Sequence, residues 1–274
     1  MSLQKFQITP NSVDLTVVII ALNEAHNIED CIRSVLFAQQ IVVLDGGSQD
    51  QTVAIAKALG AQVEANTNWQ GFGYQKNKAL SYAKNKWVLS LDADERVTPE
   101  LAQELILAIH NSDKSESALA FEIPRLTEFC GQMIRHSGWT PDYVTRLWLN
   151  GKAQFSPDLV HERLLTSGAQ VIKLKSSLLH YSYPTPAHYW EKLSKYSQAW
   201  ALQRYTKGIK TSMTRAVLSA IVAFVKSYFF RLGFLDGALG FAVCFMQAQA
   251  AFGKYFTLYC LWLQKRPESS HKGV

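Results

Sequence analysis

An α/β fold with a mostly parallel central sheet, followed by a helical carboxy-terminal region, is predicted by three features of the chain. Apolar, β-branched runs alternate with short helical patterns through the first hundred residues. Each run ends in a polar or acidic group. After residue 185 the pattern changes to long apolar helical stretches carrying basic residues.

The first run, Leu15 to Ala21, is too continuous for a half-exposed strand and reads as a parallel strand covered on both faces. Asn27 is placed to cap a helix in which Ile28, Cys31, Ile32, Val35 and Leu36 repeat at helical spacing. A second strand, Ile41 to Leu44, leads into Asp45-Gly-Gly-Ser48. A helix near Thr52 to Leu59, a strand at Gln62 to Ala65 and a helix near Gln75 to Ala83 follow. The strand from Trp87 then ends at Asp92-Ala-Asp94-Glu95, and Thr98-Pro99 opens another helix with Thr as its cap. The expected division is an α/β domain over residues 1–185 and a helical region over 186–274.

Ligands of open α/β sheets bind at the carboxyl ends of the strands. Asn23 and Glu24, Asp45 and Ser48, and Asp92 and Asp94 each follow a different strand, so these polar groups are expected along one rim. Carboxylates are seldom buried unless paired or metal-bound, and Mg²⁺ or Mn²⁺ held by one or two carboxylates with substrate phosphates suits the Asp-x-Asp pair. A solvated turn is the plainer reading of each segment taken alone. The chain has no Gly-x-Gly-x-x-Gly fingerprint and no Gly-Lys-Ser/Thr loop, so glycine amides are not the main phosphate grip. Lys76 and Lys78 are candidates to assist a metal there.

Hydrophobic residues make up 48% of the 274 and charged residues 18%, which excludes a disordered chain. Cys31, Cys130, Cys244 and Cys260 show neither zinc nor disulfide spacing, consistent with a reducing compartment. The first fifteen residues carry no apolar signal-peptide core, so a cytoplasmic protein is expected. From Trp190 onward there are twelve Lys or Arg against three acids, within a net charge of +6 for the whole chain. That surplus suits an anionic membrane or acidic lipid; no nucleic-acid motif accompanies it. On a helix from Thr214 to Arg231, apolar residues cover most of the circumference around a narrow stripe of Arg215, Ser219 and Lys226. Lys226 interrupts that run, and Asp236 the next (Leu232 to Ala251). Interfacial helices are therefore expected rather than a spanning pair, with a helical subdomain packed on the α/β domain or on a second subunit as the alternative.

Four motifs, in order and spacing, resemble the amino-terminal domain of family-two inverting glycosyltransferases: Ile19-Ile-Ala-Leu-Asn23-Glu24, Asp45-Gly-Gly-Ser48, Lys76-Asn77 and Asp92-Ala-Asp94. A narrower resemblance, through Gly138-Trp139-Thr140-Pro141-Asp142, Arg146-Leu147-Trp148, Val160-His161-Glu162 and Gly233-Phe-Leu-Asp236-Gly237, is to bacterial lipopolysaccharide core β-glucosyltransferases acting on inner-core heptose. The resemblance implies a GT-A-like fold, a UDP-sugar donor and a lipid-linked oligosaccharide acceptor on the inner face of a bacterial inner membrane. It also implies Asn23, Glu24 and Asp45 near uracil and ribose, Lys76 near the nucleotide, Asp92 on the ribose side, and Asp94 on the metal and diphosphate.

Inverting transfer needs one carboxylate as base, and both Glu162 and Asp142 qualify. Glu162 is favoured because it ends a short expected strand beside His161, a candidate to complete the metal or diphosphate shell. Trp69, Trp139 and Trp148 offer flat faces for a sugar. Transfer to a polyprenyl phosphate, or nucleotide binding without catalysis, are the alternative functions.

Overall fold

The computed structural model describes residues 9–112, 119–156, 163–166 and 170–264. Its elements are β1 (Val13–Ala21), α1 (Ile28–Arg33), β2 (Ala38–Asp45), α2 (Thr52–Ala58), β3 (Gln62–Ala65), α3 (Phe72–Leu80), β4 (Trp87–Asp92), β5 (Glu95–Val97) and α4 (Pro99–Ser112). Then come β6 (Leu119–Phe129), β7 (Gln132–Met133), β8 (Asp142–Leu149), β9 (Ala153–Phe155), β10 (Leu164–Thr166), β11 (Gln170–Lys173) and β12 (Leu178–Tyr183). The chain continues with α5 (Pro186–Thr206), α6 (Met213–Val225), a π-helical turn (Lys226–Phe230), a 3₁₀ turn (Gly233–Asp236) and α7 (Gly237–Gln264).

Two compact units result, one of residues 1–126 and 142–181, the other of 127–141 and 182–274. The main sheet runs β3-β2-β1-β4-β8-β6-β12-β5. Its first half is parallel, as the continuous apolar runs predict. Strand β8 pairs antiparallel with both β4 and β6, so the sheet as a whole is mixed. Side chains alternate between faces. In β1 and its neighbours, Leu15, Val17, Ile19, Val43, Leu89 and Leu91 enter one buried cluster with α1 and α4. Val18, Val42, Leu44 and Val88 enter another with Trp148 and Phe155. Burying each such side chain contributes about 1.5–3 kcal/mol, which is why no polar alternation survives in these strands.

One local expectation in the first unit is corrected. Asn27 has helical backbone angles and makes no side-chain cap bond. Its amide instead donates to Glu24 at 2.9 Å, and its oxygen accepts from Arg96 at 3.1 Å. Thr98 does cap α4, accepting from the Leu101 amide at 3.1 Å. The strand expected at Leu159 to Val160 lies outside the described residues.

In the second unit, Asp236 does not interrupt a helix: it closes the 3₁₀ turn, and α7 runs 28 residues after it. Its buried carboxylate accepts from the Arg135 amide (3.2 Å), the His136 amide (2.8 Å) and His136 Nδ1 (2.9 Å), tying the 127–141 segment to the helices. Gly240 is required where α7 meets that turn, since a Cβ there would lie 2.0 Å from the Gly233 carbonyl oxygen.

Candidate functional site

Strand register aligns the rim. Ala21 pairs with Asp45 and Ile20 with Asp92, so the ends of β1, β2 and β4 lie side by side. Asp45 is buried and accepts from the amides of Gly47 (3.0 Å) and Ser48 (3.0 Å), which fixes the turn after β2. Asn23, with φ +56°, stitches the neighbouring turn to it. Its amide donates to Ser48 Oγ at 2.8 Å, and its side-chain oxygen accepts from the Gln49 amide at 2.8 Å. The Glu24 amide donates to Thr52 Oγ1 at 2.8 Å. Thr52 in turn donates its hydroxyl to Asp50, the first cause of that carboxyl's lowered pKa. These bonds hold the turns after β1 and β2 against each other.

Lys76 reaches the same rim from α3. That helix starts at Phe72, earlier than the sequence pattern indicated, and buries Gly73, Gln75, Lys76 and Ala79. Lys76 Nζ lies 3.0 Å from Asp92 Oδ1, and Arg146 from β8 lies 2.6 Å from Asp92 Oδ2. Asn77 brackets Phe155 through both of its backbone groups at 2.8 Å. Arg146 also contacts Glu95 at 2.5 Å, and Glu95, fully buried, accepts from the Asp92 amide at 3.0 Å. Arg125 extends the chain of charges, 3.7 Å from Glu95 and hydrogen-bonded to Asp142 by two of its nitrogens.

Burial alone would raise the Asp92 pKa. Attraction from Arg146 and Lys76, with their hydrogen bonds, outweighs it and holds the carboxyl well below the usual carboxylate range. Because the folded-state pKa is depressed, this ion pair's stabilisation is fully present above the unfolded value of about 3.9 and is lost only as pH falls through the folded value. Asp92→Asn should therefore destabilise the protein by a constant amount from pH 8 to about pH 5, the two proteins converging only in stronger acid. Urea unfolding at stepped pH measures this; a gap that closes between pH 7 and pH 6 would contradict it.

Asp94 sits in the turn between β4 and β5. Its Oδ2 lies 3.4 Å from His180 Nε2 on β12, and its backbone oxygen accepts from the Tyr181 amide at 2.9 Å. Both side chains keep some exposure, 21% for Asp94 and 15% for His180. Among the described residues no group of three His, Cys, Asp or Glu side chains is arranged to hold a metal ion. One carboxylate and one imidazole nevertheless fit a divalent ion that takes its remaining ligands from diphosphate and water. Asp92 is shared between the Lys76 and Arg146 cations.

The remaining sequence candidates separate. His161 and Glu162 lie outside the described residues. Asp142 is exposed at the start of β8 and gripped by Arg125. Of the three tryptophans, Trp148 is fully buried and presents no face to a sugar, Trp139 is partly buried beside Phe129, Tyr183 and Tyr189, and Trp69 is 54% exposed. The sequence reading missed Glu95, Arg125 and His180 as site residues. Glu95 and Arg146 stood inside motifs already singled out. Nothing local to Leu178-Leu-His180 signals a site, because its place depends on β12 returning antiparallel to β5, His180 opposite Glu95.

Residues 16–151 match the model of glycosyl transferase family 2. The chain is 31% identical over 249 residues to a Rickettsia prowazekii protein named as an uncharacterized glycosyltransferase, covering 87% of this chain and 84% of that one. It is 26% identical over 264 residues to the lipopolysaccharide core biosynthesis glycosyltransferase LpsC of Rhizobium meliloti, covering 88% and 93%. Among solved structures, S. aureus TarS in complex with UDP-GlcNAc aligns over 91% of each chain, with 16% identity and a TM-score of 0.47. With the family's match lying over the parallel strands and their acidic rim, and a likeness that runs through most of the chain, this protein belongs to glycosyltransferase family 2 and is a glycosyltransferase.

Proposed function

We propose that the protein transfers a sugar, glucose by the resemblance stated above, with inversion from a UDP-sugar to heptose of a lipopolysaccharide inner core. The observation that carries the donor half is the Asp94–His180 pair at the end of β4, beside an Asp92 that Lys76 and Arg146 already neutralise. The likeness to LpsC, named for lipopolysaccharide core biosynthesis, supports an acceptor in the lipopolysaccharide core; heptose rests on the motif resemblance.

A divalent ion, Mg²⁺ or Mn²⁺, held by Asp94 and His180 would neutralise the diphosphate as it departs. Asn23, Glu24 and Asp45 receive the uracil and ribose, and Lys76 with Arg146 keeps Asp92 ionised and in place for the ribose side. An acceptor hydroxyl oxygen bonds to the anomeric carbon as that carbon's bond to the diphosphate oxygen breaks. Glu162 takes the hydroxyl proton, and UDP leaves with the electron pair. An α-linked donor then gives a β-linked product. Glu162 is preferred to Asp142 because Arg125 pairs with the Asp142 carboxylate, donating two hydrogen bonds to its Oδ2, and the guanidinium charge opposes proton uptake there.

A thermal-shift screen of UDP-sugars with Mn²⁺, followed by NMR of the product formed on a heptose-bearing lipid, tests the reading. Glu162→Gln should retain donor binding and lose roughly 10²-fold or more in turnover. Normal turnover in that variant with loss in Asp142→Asn would move the base to Asp142. Product formed only on polyprenyl phosphate would replace the acceptor, and UDP binding without transfer or hydrolysis would leave a nucleotide-binding protein.

A further inference from the structure

We infer that the outer face of α6 and the turn after it rests side-on in the interface of an anionic lipid bilayer. The surface lies wholly within the second unit and is independent of the donor and acceptor assigned above. On α6, Ala216 and Ser227 of the following turn are buried, while Leu218, Ile221, Val222, Val225 and Phe229 are exposed. At 100° per residue the first pair marks one side of the helix and the five apolar residues the opposite one. Val222 is 62% exposed and Phe230 80%, and Leu232, Phe234 and Leu235 continue the apolar surface around the hairpin. A continuous apolar face of this kind on a water-soluble surface marks an interaction site.

The charges around it select the partner. Between Met213 and Leu235 the charged residues are Arg215, Lys226 and Arg231, all basic. Arg215 and Lys226 are eleven positions apart, three helical turns, so they share one flank of the apolar stripe about 16 Å from each other. The acid of the hairpin, Asp236, is buried and engaged by Arg135 and His136, so it does not offset them. At the far end, cations lie over aromatic rings: Arg215 over Tyr255 at 5.5 Å, Lys210 over Trp262 at 5.7 Å and Arg204 over Trp200 at 3.9 Å. Trp, Tyr and basic side chains beside an apolar stripe are the composition of a helix at the headgroup boundary. A two-fold contact through this face would bring the same basic flanks together, whereas an anionic surface complements them. Both hairpin helices are long and apolar enough to cross a membrane. The side-on position follows because the inner side of α6 packs on α7, which leaves one outer face, and the two flank cations reach headgroups together only when the helix lies flat.

Flotation with phosphatidylglycerol-containing and pure phosphatidylcholine vesicles tests the assignment on the full chain. Wild type should float with the anionic vesicles, more weakly with the neutral ones, and less in high salt. Leu218→Glu with Val222→Glu should lose binding at least tenfold. Arg215→Glu with Lys226→Glu should lose about 25-fold or more, taking roughly fivefold per basic residue near the surface. Lys57→Glu with Lys84→Glu, the same charge change on exposed residues of the first unit, should bind as wild type does. Circular dichroism confirms that each variant is folded. Absence of wild-type flotation, or equal flotation of every variant, overturns the inference. A wild-type dimer that the Leu218/Val222 variant dissociates, without vesicle binding, would assign the face to a second copy instead.

Discussion

Arg146→Met should lower unfolding free energy by about 3–5 kcal/mol, the usual cost of leaving buried charges without their partner. Arg146 is buried on β8 and reaches two carboxylates through one nitrogen, Asp92 at 2.6 Å and Glu95 at 2.5 Å. Its pKa is raised because those two acids outweigh the effect of burial, so it stays charged throughout the range in which the fold exists. Removing it leaves Glu95, which has no exposure, with the Asp92 amide at 3.0 Å and, as counter-charge, the more distant Arg125 at 3.7 Å. The double change Arg146→Met with Glu95→Gln should recover part of the loss, since one uncompensated charge is gone. Arg146→Lys should fall between, since it keeps a positive charge but on a compact, strongly hydrated ammonium that is costlier to bury than a guanidinium. Equilibrium urea unfolding gives these differences; an Arg146→Met protein within 1 kcal/mol of wild type would mean that the network contributes little.

The parallel half of the sheet was legible because strands buried on both faces leave no choice of residue: Leu15 to Ala21 and Trp87 to Leu91 carry apolar side chains almost without interruption. The rim was legible for a related reason, since a polar residue that ends such a run has one edge on which to emerge. The antiparallel half was not. Strands β6, β8 and β12 are brought together from distant parts of the chain, and Arg125, Arg146 and His180 acquire their partners only through that pairing. Asn27 and Asp236 show a second limit. Each was read from its neighbours, as a helix cap and as a helix interruption. Each instead spends its side chain on a residue far along the chain, Arg96 for Asn27 and His136 for Asp236. The 127–141 segment joins the carboxy-terminal helices through such bonds, which no local pattern in the sequence announces.

Asp94→Asn should leave the protein folded and remove most of its metal-dependent affinity for UDP-sugar. The substitution keeps the side chain's shape, and Asp94 stands outside the Asp92–Arg146–Glu95 chain of ion pairs, so stability should change little. What it removes is the anionic oxygen that a hard divalent cation prefers. Loss of that electrostatic support for the departing diphosphate should lower turnover roughly 10²–10³-fold, the scale seen when one preorganised stabilising group is deleted. His180→Ala should act in the same direction with a smaller loss, because an imidazole contributes less than a carboxylate to a hard cation. Asp92→Asn supplies the contrast, costing stability through Lys76 and Arg146 before it affects the metal. Calorimetry of UDP binding with and without Mn²⁺ separates the two acids independently of turnover. If Mn²⁺ strengthens UDP binding equally in wild type and Asp94→Asn, the metal does not sit on Asp94 and the role given to the Asp94–His180 pair is wrong. If Asp92→Asn alone abolishes the Mn²⁺ effect while remaining as stable as wild type, the assignments of the two aspartates are reversed.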